Sequence, residues 1–511
     1  MSRLSHTIKN AKVGFFFHGL FVLVQFFSRK IFLDGLGDEF IGTTATLRSF
    51  LTFLNLAELG IGTAIGFALY KPLFNNNHRE VNQIINFVGN LYKKIGLLIL
   101  LAGVLLSFFF PFIFEDTGIN LALIYYAFFS FLASSLIGYF FNYHIFLVQA
   151  DQKDYIVAKY SQTITICKIL LQSAVVFFLD NFWMWITLEW ITGVVFAFLI
   201  RKVINKRYPW LKLEDSLFQK PQEFERRSLL LTKVKQISVH KLGGFLNSGT
   251  DNILIFYFIN AQSVAFFGNY ELVVLNIGIL IEKLFGGSKA SIGNLVAENN
   301  EKSIHQVLWE MMALRFFIGG FSVSCILLLI NPFIGLWLGQ EYILDSLVVA
   351  LFCSIFFLRQ IVNPIEAFKQ AYGLYSDTWA PITEGILNIV VSIIFALKFG
   401  LAGILLGTNV SILLIVAIWR PIYVYHSGFK KPFSQYLKGF IKLLVMTGLA
   451  LYANKYLLEY LFKMNSINYL NFFWYALKII VGTGIFYFGT FYLTSSYFRD
   501  VIKRLQNQFF N

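Results

Sequence analysis

Residues 52–74 read TFLNLAELGIGTAIGFALYKPLF. The run is apolar and long enough to cross a bilayer, yet one carboxylate, Glu58, sits inside it. Gly60, Gly62 and Gly66 form a smooth strip along which a second helix backbone can approach closely. Lys71-Pro72 ends the run, a basic residue and a ring without an N–H marking a helix exit at a membrane surface. Residues 284–298, LFGGSKASIGNLVAE, echo it: Ala64-Ile65-Gly66 precedes Ser291-Ile292-Gly293 by 227 positions. The pattern reads as one structural unit used twice.

Working outward, similar apolar runs of about 20 residues recur through all 511 residues. Mean hydropathy is +0.65 and only 14% of residues are charged, so the solvent for most of the chain is lipid rather than water. An aromatic share of 18%, mostly Phe, suits lipid-facing and interfacial surface. The net charge of +14 then follows from basic connections on one side of a membrane, and nucleic acid is not expected as a partner. Cys167, Cys325 and Cys353 all lie within apolar runs and read as small core residues, not as a disulfide or metal set. A basic start (Arg3, Lys9, Lys12) leads into the first apolar run with no small-residue cleavage site after it, which predicts an uncleaved first span.

The runs predict an all-α polytopic membrane protein with about fourteen transmembrane helices, at 13–33, 43–70, 93–114, 119–149, 157–179, 182–204, 237–259, 265–294, 307–331, 341–368, 379–398, 401–425, 434–458 and 470–497. Lys and Arg set the orientation. They crowd the N-terminal tail, the connection 71–94, the connection after the sixth span (ten between 201 and 235), Lys430, Lys431 and Lys438, and the C-terminal tail. Asp34, Asp38, Glu39, Glu115, Asp116 and Asp180 mark the other side. Both termini are therefore predicted to be cytoplasmic. The polar stretch 205–236 reads as a cytoplasmic linker between a six-helix lobe, 1–204, and a second, 237–428; residues 429–511 add a helix pair and a tail. Phe32-Leu33-Asp34 and Phe40-Ile41-Gly42 reappear as Phe258-Ile259-Asn260 and Phe266-Phe267-Gly268 at an offset of 226, a weak internal repeat of the kind that places a transporter's substrate site between its halves.

No enzyme motif is present. Gly286-Gly287-Ser288-Lys289 lacks the spacing of a phosphate-binding loop, His18, His144 and His240 have no ligand spacing, and no nucleophile motif occurs. Charges within spans stand out instead: Arg29, Lys30, Arg48, Glu58, Lys168 and Glu189 in the first half; Asp251, Glu271, Glu282, Lys283, Lys289, Arg359, Glu366 and Glu384 in the second. Facing lipid at mid-bilayer, each would cost about 2.5–3.5 kcal/mol on insertion scales, so most are expected to face water or one another. Arg29-Lys30 can snorkel to the interface, and Glu58 can serve as a helix–helix hydrogen bond or ion pair.

LAELGIGTAIGFALYKPL, Tyr208-Pro209-Trp210, ASIGNLVAENNEKS (290–303), NPFIGLWLG (331–339), PITEGILNIVVSI (381–393) and GLAGILLGT (400–408) resemble the bacterial Wzx-type polysaccharide flippases. These belong to the polysaccharide transporter family, in the superfamily that also holds lipid II flippases and multidrug and toxin extruders. The likeness spans about residues 1–440 in order. It implies a multi-pass inner-membrane translocase, not an enzyme, with two lobes around a central cavity. Its cargo would be an undecaprenyl-pyrophosphate-linked oligosaccharide moved from the cytoplasmic to the periplasmic leaflet for O-antigen (lipopolysaccharide), capsule or exopolysaccharide. Its partners would be the bilayer, a polysaccharide polymerase and chain-length machinery.

For that cargo, Arg29, Arg48, Lys168 and Arg359 are the expected phosphate or acidic-sugar ligands, with Glu58 beside them. Arg binds phosphate oxygens bidentately and Lys offers a point charge. No cofactor is expected, and with no nucleotide site the energy would come from a Na⁺ or H⁺ gradient. Asp251, Glu384, Asn388 and Thr408 offer oxygens for such an ion, Glu384 and Asn388 being one helical turn apart; a polar cluster that ties spans together is the structural alternative. A cation-coupled multidrug exporter of the same fold is the competing function and predicts an acidic, aromatic cavity, which the basic residues of the first lobe oppose. A membrane glycosyltransferase or polymerase predicts a large outward loop, and the outward connections are short.

Overall fold

In hydrocarbon a backbone N–H or C=O has no water to bond, so a spanning segment must satisfy its own, and helices do this within one segment. The structure, a computed structural model, describes residues 3–55, 61–212, 249–285, 288–462 and 468–510. The described chain is helical from end to end, and eleven helices are long and apolar enough to cross a membrane. The protein is an all-α, multi-pass membrane protein. The expected spans are nearly all present: one of the eleven, Trp379–Phe429, is 51 residues long and carries two of them. The predicted span 43–70 falls on two described helices with 56–60 between them outside the described residues, and 237–259 lies partly outside them. So does most of the predicted linker 205–236, together with Glu58, His240 and Gly286-Gly287.

The chain divides into two compact units, Met1–Ala265 and Phe266–Asn511. The first holds α1 (Arg3–Leu36), α2 (Asp38–Leu54), α3 (Ile61–Phe74), α4 (His78–Ser107), α5 (Leu121–Phe141), α6 (Asp154–Leu179), α7 (Phe182–Arg207) and α8 (Asp251–Phe258). Within it α1 packs on α6, α6 and α5 on α7, α4 and α2 on α5, and α8 on α2. Gly89, Gly96 and Gly103 recur every seventh residue along α4, where an added Cβ would meet Tyr143 at 2.6 Å, Tyr139 at 3.1 Å and Leu132 at 2.9 Å. That strip lets the two helices pack closely where apolar burial from water cannot drive them together. The outward faces are apolar: Phe177 and Phe178 are 72% and 77% exposed, as lipid contact requires.

The second unit takes up α9 (Ala261–Phe285) from its first turn onward, then α10 (Ser288–Ala297), α11 (Glu301–Trp337), α12 (Ser346–Ala371), α13 (Trp379–Phe429), α14 (Phe433–Leu461), α15 (Tyr469–Thr494) and α16 (Ser496–Phe510). α11 is its centre and packs against α12, α14, α15 and α16. Trp309, Phe316, Tyr425, Tyr436, Tyr487 and Phe491 fill the core around it. α13 turns at Gly400, whose φ of 53° and ψ of −129° suit a residue without a Cβ. Beyond the turn the two arms run side by side, Gly403 against the Phe395 carbonyl and Gly407 against Ser392.

The predicted span 265–294 falls on α9 and α10, with 286–287 between them outside the described residues.

Candidate functional site

Lys168 and Gln172 are one turn apart on α6, and Trp185 and Glu189 one turn apart on α7, so each pair shares a helix face. The two faces meet. Gln172 Nε2 donates to the Trp185 carbonyl at 2.9 Å and to Glu189 Oε1 at 3.1 Å, fixing the carboxylate. Lys168 Nζ lies 2.9 Å from Glu189 Oε2, and Arg48 Nη2, from α2, lies 2.7 Å from Oε1. The Arg48 guanidinium also sits over the Phe131 ring of α5, 4.2 Å from its centroid. Four helices thus build one polar centre within the first unit.

The charges do not balance. Two cations share one carboxylate, which leaves a formal surplus of one positive charge. Burial is graded as well: the Glu189 side chain is 5% exposed, Lys168 20% and Arg48 46%. A buried anion therefore holds two cations in place while the outer one stays accessible. Such a group can bind an anion with little side-chain reorganisation, because its Arg is already oriented. Glu189 appeared among the charges within spans but not among the expected ligands. Its signal is the Trp185/Glu189 spacing opposite Lys168/Gln172.

Of the other expected ligands in this unit, Arg29 is half-buried on α1 and its Nη2 donates to the Ala265 carbonyl at 3.0 Å. Asp251 begins α8, also in the first unit.

In the second unit Arg359 is exposed on α12. Glu384 pairs with Arg420 at 2.9 Å, and Arg420 reaches Glu366 at 3.2 Å. Asn388 Oδ1 takes a hydrogen bond from Thr408 Oγ1 at 3.1 Å and lies 3.1 Å from Ser392 Oγ, which is 3.0 Å from the Ile404 carbonyl. This polar cluster bridges the two arms of α13. The structure thus brings Asn388 and Thr408 together, sets Glu384 against Arg420, and leaves Asp251 in the other unit. Sequence reasoning missed Arg420, and also Arg315, 1% exposed, which bonds Glu282 at 2.8 Å and Gln360 at 2.7 Å. Among the described residues no cluster of His, Cys, Asp and Glu could hold a metal ion.

No protein-family model and no curated protein matches the chain. Solved structures do. A lipid II flippase, MurJ, in an inward closed conformation superposes with a TM-score of 0.68 at 17% identity, covering 97% of this chain and 100% of that one. An inward-facing multidrug resistance MATE family transporter of the MOP superfamily gives 0.59 at 15% identity, over 80% of this chain and 95% of that one. An outward-facing structure of such a transporter gives 0.53 at 15%, over 84% and 98%. The chain shares their fold. At these identities the likeness is one of architecture.

Proposed function

We propose that the protein is a flippase that carries an undecaprenyl-pyrophosphate-linked oligosaccharide from the cytoplasmic to the periplasmic leaflet of the inner membrane, for O-antigen, capsule or exopolysaccharide synthesis. The observation that carries this reading is the surplus cation of the Arg48–Lys168–Glu189 centre. A pyrophosphate bears at least two negative charges and must cross a low-dielectric slab, so it needs cations fixed within the membrane. Arg48, half exposed and oriented by Glu189 and Phe131, would hold a phosphate oxygen pair, with Lys168 adding a point charge behind it. The polyprenyl tail would stay in lipid. The extensive likeness in fold to a lipid II flippase supports the same cargo class.

Coupling to Na⁺ or H⁺ belongs to the same reading: in the second unit Asn388 and Thr408 present clustered oxygens on the helix that also carries Glu384, and Asp251 of the first unit is a separate candidate carboxylate. The MATE fold likeness favours a second reading, export of a small cationic compound. Proteoliposomes separate the two. A labelled undecaprenyl-pyrophosphate-linked glycan should change leaflet with wild-type protein, read by a membrane-impermeant modifying enzyme, and much less with Arg48→Ala or Lys168→Ala at equal incorporation. Both variants moving the glycan at the wild-type rate would remove the flippase reading, and uptake of a cationic dye in its place would establish the exporter.

A further inference from the structure

We propose that a cleft in the second unit, apart from the charged centres above, binds the headgroup of an anionic phospholipid. The start of α11, the start of α14 and the junction of α15 with α16 converge on it, so it lies where spans leave the membrane, on the side predicted to be cytoplasmic. It encloses about 340 Å³ between Trp309, Lys438, Lys442, Met446, Thr494 and Tyr497.

Lys438 and Lys442 are one helical turn apart, and both are exposed. Among the described residues neither forms an ion pair, although Lys431 reaches Glu301 at 3.4 Å and Arg504 reaches Glu310 at 3.0 Å nearby. Two unneutralised ammonium groups at the mouth of a cleft call for an anion. The back wall is aromatic. Trp309 lies against Gly439, where an added Cβ would be 2.2 Å from the indole, and its Nε1 is already committed to His305 Nε2 at 3.1 Å. The wall thus leaves charge recognition to the lysines.

What makes the anion a lipid is the continuation of the same stripe. Positions 438, 442, 445 and 449 follow one another at helical spacing, and Val445 and Leu449 are 53% and 66% exposed. Basic residues at the surface followed by exposed aliphatic ones into the membrane match a phosphate headgroup followed by an acyl chain.

The test counts lipid bound to the full-length protein in detergent by native mass spectrometry, with phosphatidylglycerol or phosphatidylcholine as probe. Wild type should retain phosphatidylglycerol preferentially. The Lys438→Gln/Lys442→Gln variant should need about 30-fold more of it, the loss expected for two lysines beside an anionic surface. Lys302→Gln/Lys503→Gln, which removes two exposed lysines outside the cleft, should behave as wild type. Equal retention of the two lipids, an unaffected cleft variant, or an equal loss in the control variant would each overturn the proposal. Displacement of phosphatidylglycerol by millimolar inorganic phosphate would overturn the lipid assignment in favour of a soluble anion.

Discussion

Glu189→Gln separates what holds the first unit's polar centre together from what that centre binds. The substitution is isosteric, so it opens no cavity; it removes one negative charge beside two cations at 2.7 and 2.9 Å. The new amide can accept from one of them but turns its NH₂ toward the other. Hydrogen bonds to charged groups contribute about 1.5–3 kcal/mol each. Lys168, at 20% exposure, counts nearly in full, whereas Arg48, at 46%, is discounted for screening by water. The expected loss is about 3 kcal/mol, the lower end of the range for breaking a buried pair. Arg48→Ala should behave oppositely. It leaves Glu189 bonded to Lys168 and Gln172, so stability falls by less than about 1 kcal/mol, while glycan translocation drops sharply. Thermal unfolding of the detergent-solubilised variants, set beside the leaflet assay, reads both quantities. If Glu189→Gln melts with wild type, or if Arg48→Ala is the more destabilised of the two, the division of roles is wrong.

Gly400→Ala should lower thermal stability by about 1–3 kcal/mol, because φ 53° with ψ −129° is strained for any residue with a Cβ; an unchanged melting temperature would show that the turn relaxes. Reporter fusions after Asn511 and within 205–236 should both read cytoplasmic, and a periplasmic signal at the C-terminus would refute the orientation drawn from Lys and Arg. An imposed Na⁺ or H⁺ gradient should speed wild-type translocation, and Asp251→Asn and Asn388→Ala should each remove the acceleration; insensitivity of the wild type to both gradients would eliminate the coupling site.

The spans were legible because hydrocarbon thickness dictates the length of an apolar run, and the turn near 400 because Lys398 and Gly400 punctuate one. Single charges were legible too, since each stands out against an apolar background. Their pairing was not. Arg48 and Glu189 are 141 positions apart, and Arg420 and Glu384 are 36 apart, so which cation meets which carboxylate is decided by packing.

That pairing distinguishes the two units. In the first, one carboxylate serves two cations and one of those is half exposed. In the second, Arg420 lies between Glu366 and Glu384, one cation to two carboxylates. A centre with a surplus cation is completed by an anion, whereas one in which carboxylates outnumber the cation between them is not. On that ground the first unit is where a pyrophosphate would be held, and the oxygen-rich cluster across α13 is where a coupling cation would act.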